Sequence, residues 1–305
     1  MLRWAKSHNS EEQWMPVKNT NDGSASEPYL RLDINAGNYE MLPDFSEMAN
    51  IPEPEKYRKI REAGFCAVQG GNDDLARAEG LKTTGGGRVD KLGDADQVAA
   101  GNKERGHNCA TLHVGTGFED DDEIYRLVED IITASIRHDF PLYIETHRAT
   151  ITQDMWRTVK FTEKLPEVRF NGDFSHWYTG LEMVYGDLEA KFRFLQPVFD
   201  RVRYIHGRIG NPGCIQVDIA DGKGRPYVDH FREMWTRSFM GFLKSAQPGD
   251  YISFTPELLH PEIYYARVFP NAQGELVEEG DRWTQALLYT EIAKEAFAEA
   301  SRRLR

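Results

Sequence analysis

The sequence is poor in cysteine and has no long apolar run. Its three cysteines, Cys66, Cys109 and Cys214, form no CxxC pair, which argues against a disulfide framework or a zinc ribbon. No apolar stretch approaches the ~20 residues that a membrane-spanning helix needs. The first residues, MLRWAKSHNSEEQW, lack the apolar centre of a secretory signal. We therefore expect a cytoplasmic protein with reduced thiols and no membrane partner.

Positive charge is scarcer than negative charge. The chain has 37 Lys and Arg against 49 Asp and Glu, a formal net charge of -12. Such a surface repels phosphate backbones unless a basic groove overrides it. The closest approach to a basic run is the C-terminal SRRLR, at a helix end where cations favour the helix dipole. We therefore expect no nucleic-acid partner.

A phosphate-binding glycine motif is missing after the first strand candidate. That strand runs into NAGNYEMLPDF, without GxGxxG or GxxxxGK[ST], which disfavours an open doubly wound sheet. Strand-like and helix-like segments then alternate eight times, which predicts an α/β fold, a closed (β/α)8 TIM barrel. We expect a single barrel domain over 29–305, preceded by a polar N-terminal arm over 1–28. The strand candidates are 29–35, 64–71, 81–87, 108–115, 141–148, 168–176, 202–210 and 251–259.

Imidazoles and acids gather at the predicted carboxyl ends of these strands, which meet at one rim of such a barrel. The residues at these ends are His113, Glu145, His147, Asp173, His176, His206 and Glu257. Clustered acids require a compensating cation, and three carboxylates with one imidazole suit Mn²⁺, Mg²⁺ or Co²⁺ and permit Zn²⁺. Each residue also has an ordinary structural alternative, such as a turn for Asp173. The pattern predicts one divalent metal ion at the rim.

Other residues near these strand ends suggest substrate contacts. His113 and His147 are candidates for such contacts, and Trp177 is a candidate stacking face for a sugar ring. The loop over 207–226 is rich in glycine, proline and aspartate, and we expect it to form part of the site wall. The glycine run at 85–87 is expected to form a tight turn at the end of the third strand.

Three segments resemble the xylose isomerase-like TIM barrel superfamily, the sugar phosphate isomerase/epimerase family, over roughly 29–300. They are ETHR at 145–148, GDFSHW at 172–177 and HGRIG at 206–210. The resemblance implies that the metal ligands are Glu145, Asp173, His206 and Glu257, and that the two glutamates form the acid/base pair. It also implies that His176 contacts metal or substrate. Arg208 stands where relatives carry a polar or acidic residue, which suggests a substrate oxygen nearby.

The expected function is a divalent-metal-dependent sugar isomerase or epimerase. It would act by proton transfer next to a carbonyl, through a metal-stabilised enediolate, with Mn²⁺ as the expected ion. The alternative is a metal-dependent lyase or dehydratase acting on a keto-sugar, a keto-inositol or an oxidised glycoside. A non-catalytic sugar-binding barrel and an endonuclease IV-like nuclease remain as further possibilities. The expected partners are a small carbohydrate and further copies of the chain, in a dimer or tetramer.

Overall fold

Eight parallel strands close into one barrel, as the alternation predicts. The computed structural model describes residues 18–305. The strands pair in chain order, and the first pairs with the eighth through Tyr29 and Tyr251, which excludes the open sheet. The strands are β1 (Tyr29–Asn35), β2 (Ala67–Gln69), β3 (Lys82–Val89), β4 (Ala110–Val114), β5 (Leu142–Glu145), β6 (Phe170–Asn171), β7 (Val202–Gly207) and β8 (Tyr251–Pro256).

Helices connect consecutive strands around the barrel. They are α1 (Glu53–Glu62), α2 (Asp73–Ala78), α3 (Asp94–Glu104), α4 (Asp121–His138), α5 (Met155–Lys164), α6 (Ser175–Gly180), α7 (Leu188–Phe194), α8 (Gln196–Phe199), α9 (Pro226–Leu243) and α10 (Arg282–Arg303). Short 3-10 turns follow β1 at Ala36–Asn38 and β8 at Pro261–Ile263. An antiparallel hairpin of β9 (Val268–Pro270) and β10 (Leu276–Glu278) precedes α10, and the sequence pattern did not reveal it.

The helix α4 illustrates how local sequence sets these elements. Asp120 accepts a hydrogen bond from the backbone N–H of Glu123, and the Glu123 carboxylate accepts one from the backbone N–H of Asp120, at 2.8 and 2.9 Å. This reciprocal cap satisfies donors that a helix start leaves free. Its apolar face, which includes Val128 and Ile131, is buried against the strands. The core therefore lies between the helix ring and the outer surface of the barrel.

The amino end of the barrel is closed by the described part of the N-terminal arm. Thr20 donates its backbone N–H to the Tyr143 hydroxyl at 3.1 Å, and Asn19 and Asn21 donate to the Asp250 carboxylate at 2.8 Å each. The arm predicted over 1–28 thus lies, from residue 18 onward, on the face opposite the carboxyl ends of the strands. Its first 17 residues lie outside the described part of the chain.

Several boundaries differ from the sequence-based expectation. The glycines at 85–87 lie inside β3 and do not form a turn, because helix α3 packs so closely that a Cβ on Gly87 would meet Val98 Cγ1 at 2.5 Å. Strand β6 is only two residues long, and His176 lies on α6. Two short helices, α7 and α8, separated at Leu195, precede β7.

No helix among residues 18–305 combines the length and the apolar character that crossing a lipid bilayer requires. This agrees with the absence of long apolar runs in the sequence.

We predict that Gly87→Ala destabilises the protein and that its neighbour Gly86→Ala does not. The added methyl at Gly87 would press on the branched side chain of Val98, at a cost of ~1–3 kcal/mol. At Gly86 the nearest atom, the Thr111 carbonyl oxygen, lies at an ordinary 3.6 Å. Urea unfolding of both variants measures the difference. Equal losses of unfolding free energy would contradict the close packing of α3 on β3.

Candidate metal centre

Four side chains converge at the carboxyl ends of four consecutive strands. Glu145 is the last residue of β5, Asp173 follows β6, His206 lies near the end of β7, and Glu257 directly follows β8. One potential ligand atom of each lies within 4.8 Å of the others. The four residues that the resemblance implied as metal ligands are therefore brought together by the barrel.

His206 stands at the centre of this group. Its Nδ1 lies 3.2 Å from Glu145 Oε2 and 3.3 Å from Glu257 Oε2. Its Nε2 lies 2.7 Å from the Gln69 side-chain oxygen, an acceptor that fixes the N–H on Nε2. In the neutral imidazole the Nδ1 lone pair then faces the carboxylates, and this is the tautomer that a metal-ligating histidine requires.

Polar residues one layer deeper hold the group in place. The His206 backbone N–H donates to Asn171 Oδ1 at 3.0 Å, which directs the Asn171 amide nitrogen to Glu145 Oε2, also at 3.0 Å. Asn35 Nδ2 lies 3.2 Å from Glu257 Oε1. The sequence analysis did not assign roles to these asparagines or to Gln69. The available signal was their position, because all three end a strand at the same rim.

Asp173 offers a carboxylate oxygen that lacks a close hydrogen bond. Its Oδ1 accepts from the backbone N–H of Ser175 at 3.1 Å, whereas its buried Oδ2 has only longer charged contacts among the described residues, with Arg208 Nη2 at 3.3 Å and His176 Nε2 at 3.4 Å. A buried carboxylate oxygen that is so weakly bonded is costly. Three carboxylates and one imidazole form an oxygen-rich donor set. The residues present therefore fit a hard divalent cation.

Arg208 supplies a fixed positive charge beside the same carboxylates. Its Nη2 contacts Glu257 Oε2 and lies 3.3 Å from Asp173 Oδ2. The side chain is only 1 % exposed, and its guanidinium carbon lies 4.4 Å from the centre of the Tyr265 ring. The Nε and Nη1 atoms are buried and have no acceptor in residues 18–305. This guanidinium therefore neutralises part of the acidic cluster and retains donors for another group.

The two glutamates have opposite pKa shifts. Burial alone would raise the pKa of Glu145, but His206 and His113 outweigh it and hold that pKa well below its usual range. Burial raises the pKa of Glu257, and the neighbouring His206 and Arg208 only partly offset it. Glu145 is therefore ionised at neutral pH, and Glu257 is the carboxylate that more readily holds a proton.

Three histidines form a stack along one side of the cluster. The ring centres of His113 and His147 lie 4.3 Å apart, and those of His147 and His176 lie 3.8 Å apart. Burial and His176 lower the pKa of His147 to about 3, and burial also lowers the pKa of His176. His113 Nε2 lies 3.4 Å from Glu145 Oε1, and these atoms with His147 form a second group within 4.8 Å. His147 and His176 are thus held neutral, whereas the hydrogen bond to Glu145 raises the pKa of His113, where the stack adjoins the four-residue group.

Trp177 does not lie where the sequence analysis expected it. It is 0 % exposed, and its indole N–H donates to the Thr152 carbonyl at 2.7 Å within the core. It has no free face for a sugar ring, because α6 turns it towards the barrel exterior. The loop after β7 does reach the site: it carries Arg208, and Gln216 donates to the Leu259 carbonyl at 2.9 Å, close behind Glu257.

No protein-family model matches the chain, and no curated protein matches its sequence. Solved structures do match. The probable 3-DHS dehydratase AsbF of Bacillus anthracis is 13% identical with a TM-score of 0.51, over 86% of this chain and 97% of that one. D-Allulose 3-epimerase of Methylomonas sp. is 12% identical with a TM-score of 0.54, over 89% and 99%. The chain shares the TIM barrel fold of these proteins. A xylose isomerase-like TIM barrel protein from Mycobacterium smegmatis, in complex with magnesium, is 13% identical with a TM-score of 0.50, over 88% and 97%.

We predict that the metal-free protein loses stability as His206 is deprotonated. Burial lowers the pKa of His206, but Glu257 and Glu145 outweigh it and raise that pKa from 6.5 to about 9. The folded protein then binds this proton more tightly than the unfolded chain. The stabilisation is complete below pH 6.5 and is lost as the pH rises through about 9.

Urea unfolding of chelator-treated protein between about pH 6 and about pH 9 measures this loss, which is ~3 kcal/mol at most for this shift. The control is His206→Gln, whose unfolding free energy should vary less over the same window. An identical decline in both proteins would assign the pH dependence to other groups.

Proposed function

We propose that the protein is a divalent-metal-dependent sugar isomerase or epimerase that transfers a proton next to a carbonyl group. One observation carries this proposal: Glu145, Asp173, His206 and Glu257 bring their ligand atoms within 4.8 Å of one another at the carboxyl rim of a closed barrel. That rim is where barrels of this type carry their chemistry. The epimerase and magnesium-bound structures that share the fold support the same function.

The four residues would hold one cation, with Mn²⁺ as our first candidate and Mg²⁺, Co²⁺ or Zn²⁺ as alternatives. When bound, the cation would act as a Lewis acid on the carbonyl oxygen of an open-chain sugar. Asn171 and Gln69 would keep the ligands oriented through the hydrogen bonds they make to Glu145 and His206.

Glu145 and Glu257 would form the acid/base pair. The Glu145 carboxylate, which His206 and His113 keep ionised, would accept a proton from the carbon beside the carbonyl. Glu257, whose pKa is raised by burial, would hold the proton that is returned. Return on the opposite face gives an epimer, and return to the neighbouring carbon gives an isomer.

Four further residues would orient the substrate. His113, His147 and His176 form a stack beside Glu145, in which burial keeps His147 and His176 neutral, and neutral imidazoles both donate to and accept from hydroxyl groups. Arg208 retains two buried donors that face no protein acceptor in the described residues, and these suit a substrate oxygen. The expected homo-oligomer and cytoplasmic location stay predictions.

A lyase or dehydratase is the second candidate. The same abstraction by Glu145, followed by loss of a hydroxyl group protonated by Glu257, would give an unsaturated product. The raised pKa of Glu257 is compatible with that role. The similarity to a probable 3-DHS dehydratase favours keeping this alternative.

We expect one divalent ion per chain and an activity that chelation removes. Elemental analysis of purified protein, before and after chelator treatment and Mn²⁺ addition, measures the stoichiometry. Incubation with a panel of ketoses in deuterated water then tests for exchange at carbon, and an unsaturated product would instead indicate the lyase. Clean protein without bound metal, together with activity indifferent to chelators, would contradict the proposal.

We expect Glu257→Gln to lower solvent-deuterium exchange at least ~10²-fold, because an amide cannot transfer the proton. The matched control is Glu262→Gln, an exposed glutamate in the 3-10 turn that follows. Metal content is measured for both proteins, so that loss of the ion is separated from loss of the acid. Full exchange in metal-loaded Glu257→Gln would refute the acid/base role.

A further inference from the structure

Tyr265 lies at a corner of the site that neither the metal ligands nor the acid/base pair explain. It belongs to the segment between the 3-10 turn after β8 and strand β9. Its ring lies 4.4 Å from the guanidinium carbon of Arg208 and 5.2 Å from that of Arg148, and its centre is 6.4 Å from that of His176. We call these four residues the Tyr265 corner.

Arg148 carries a positive charge that has no acidic partner among residues 18–305. It is exposed at the rim, and its guanidinium forms no ion pair or side-chain hydrogen bond within that range. The unpaired charge is therefore available to an anion that enters from solution.

The backbone around Arg148 is held firmly. Thr152 Oγ1 donates to the Glu145 carbonyl at 2.7 Å, and Thr150 Oγ1 donates to the His147 carbonyl at 2.7 Å. The Thr152 hydroxyl also accepts from the backbone N–H of His147 at 2.9 Å. These bonds fix the turn that follows β5, so Arg148 is presented at a constant distance from the cluster.

The buried members of the corner have unused hydrogen-bonding atoms. His176 is 2 % exposed; its Nε2 lies 3.4 Å from Asp173 Oδ2, whereas its Nδ1 has no hydrogen-bond partner among residues 18–305. Arg208 has two such atoms, Nε and Nη1. Unsatisfied buried donors are costly, and a ligand with several acceptor oxygens would satisfy them. Carboxylate and phosphate groups have that character and carry the charge that arginine selects.

We propose that Arg148, His176 and Arg208 bind an oxyanion of the substrate, a carboxylate or a phosphate, beside Tyr265. The protein is then selective for an acidic keto sugar over a neutral one. The description of this oxyanion as part of a substrate rests on the proposed function. Oxyanion binding by the Tyr265 corner does not itself require turnover.

The test compares matched probes by isothermal titration calorimetry on Mn²⁺-loaded protein. 2-Keto-D-gluconate and D-fructose differ by a carboxylate against a hydroxymethyl group, and D-fructose 6-phosphate provides the phosphate arm. We expect an acidic probe to bind at least ~10-fold more tightly than D-fructose. The acidic probe that binds more tightly identifies carboxylate or phosphate as the recognised anion. The ratio of acidic to neutral affinity should decrease with added salt.

A carboxylate can also bind directly to the metal ion, so a preference for acidic probes does not by itself implicate the Tyr265 corner. The variant Arg148→Gln tests whether the corner causes this preference. We expect the ratio of acidic to neutral affinity to fall at least ~5-fold in this variant. The control is Arg58→Gln, which removes an equal charge from the outer face of α1 and should keep the wild-type ratio. Equal binding of acidic and neutral probes, or an unchanged ratio in Arg148→Gln, would overturn the proposal.

The same titrations on chelator-treated protein separate this inference from the proposed function. A preference for acidic probes that Arg148→Gln removes supports the corner even where no deuterium exchange is found. Deuterium exchange with neutral ketoses, without any preference for acidic probes, supports the proposed function and overturns the proposal of oxyanion binding by the Tyr265 corner. Absence of binding by every probe overturns the oxyanion proposal as well.

Discussion

The need to compensate three buried carboxylates governs the arrangement of this site. Glu145, Asp173 and Glu257 approach one another where little water is available, and like charges at such distances repel strongly in a low-dielectric environment. The protein supplies two positively charged or protonatable partners, His206 and Arg208. Their unequal placement gives the carboxylates different proton affinities. Glu145 is stabilised as an anion by two imidazoles, whereas burial dominates at Glu257.

The barrel makes this arrangement possible because it separates charge into layers. Below the rim, Arg31 Nη2 pairs with Asp33 Oδ2 at 2.7 Å. The next layer contains Asn171 and Gln69, which donate to or accept from the rim groups and carry no charge. The uppermost layer contains the acidic cluster and Arg208, whose Nε and Nη1 have no acceptor among residues 18–305. Such a layer on a closed, rigid sheet is a suitable place for a cation and an anionic ligand.

The sequence revealed the repeating pattern better than the local details. Alternating strand and helix segments predicted the closed barrel, and polar residues at strand ends predicted the convergence of the four candidate ligands, because both follow from regular geometry. The prediction of a turn at the glycines 85–87 was wrong. Glycine is needed there because α3 packs closely against β3, and no local sequence pattern encodes such a tertiary contact. Trp177 was misplaced because it lies on the short helix α6, which follows β6 closely, and is fully buried in the core. Arg148 and Tyr265 were overlooked because they meet only through folding of distant loops.

Charge balance connects the metal centre to the Tyr265 corner. The charges of three carboxylates are cancelled by Arg208 together with one divalent cation, provided that His206 is neutral. A centre balanced in this way has no remaining net attraction for an acidic substrate. Arg148, which lies outside the balanced set and has no acidic partner in residues 18–305, then provides the excess positive charge. Arg208 thus has a consequence beyond one contact: a cation fixed inside the cluster leaves the second arginine free to select the charge of the ligand.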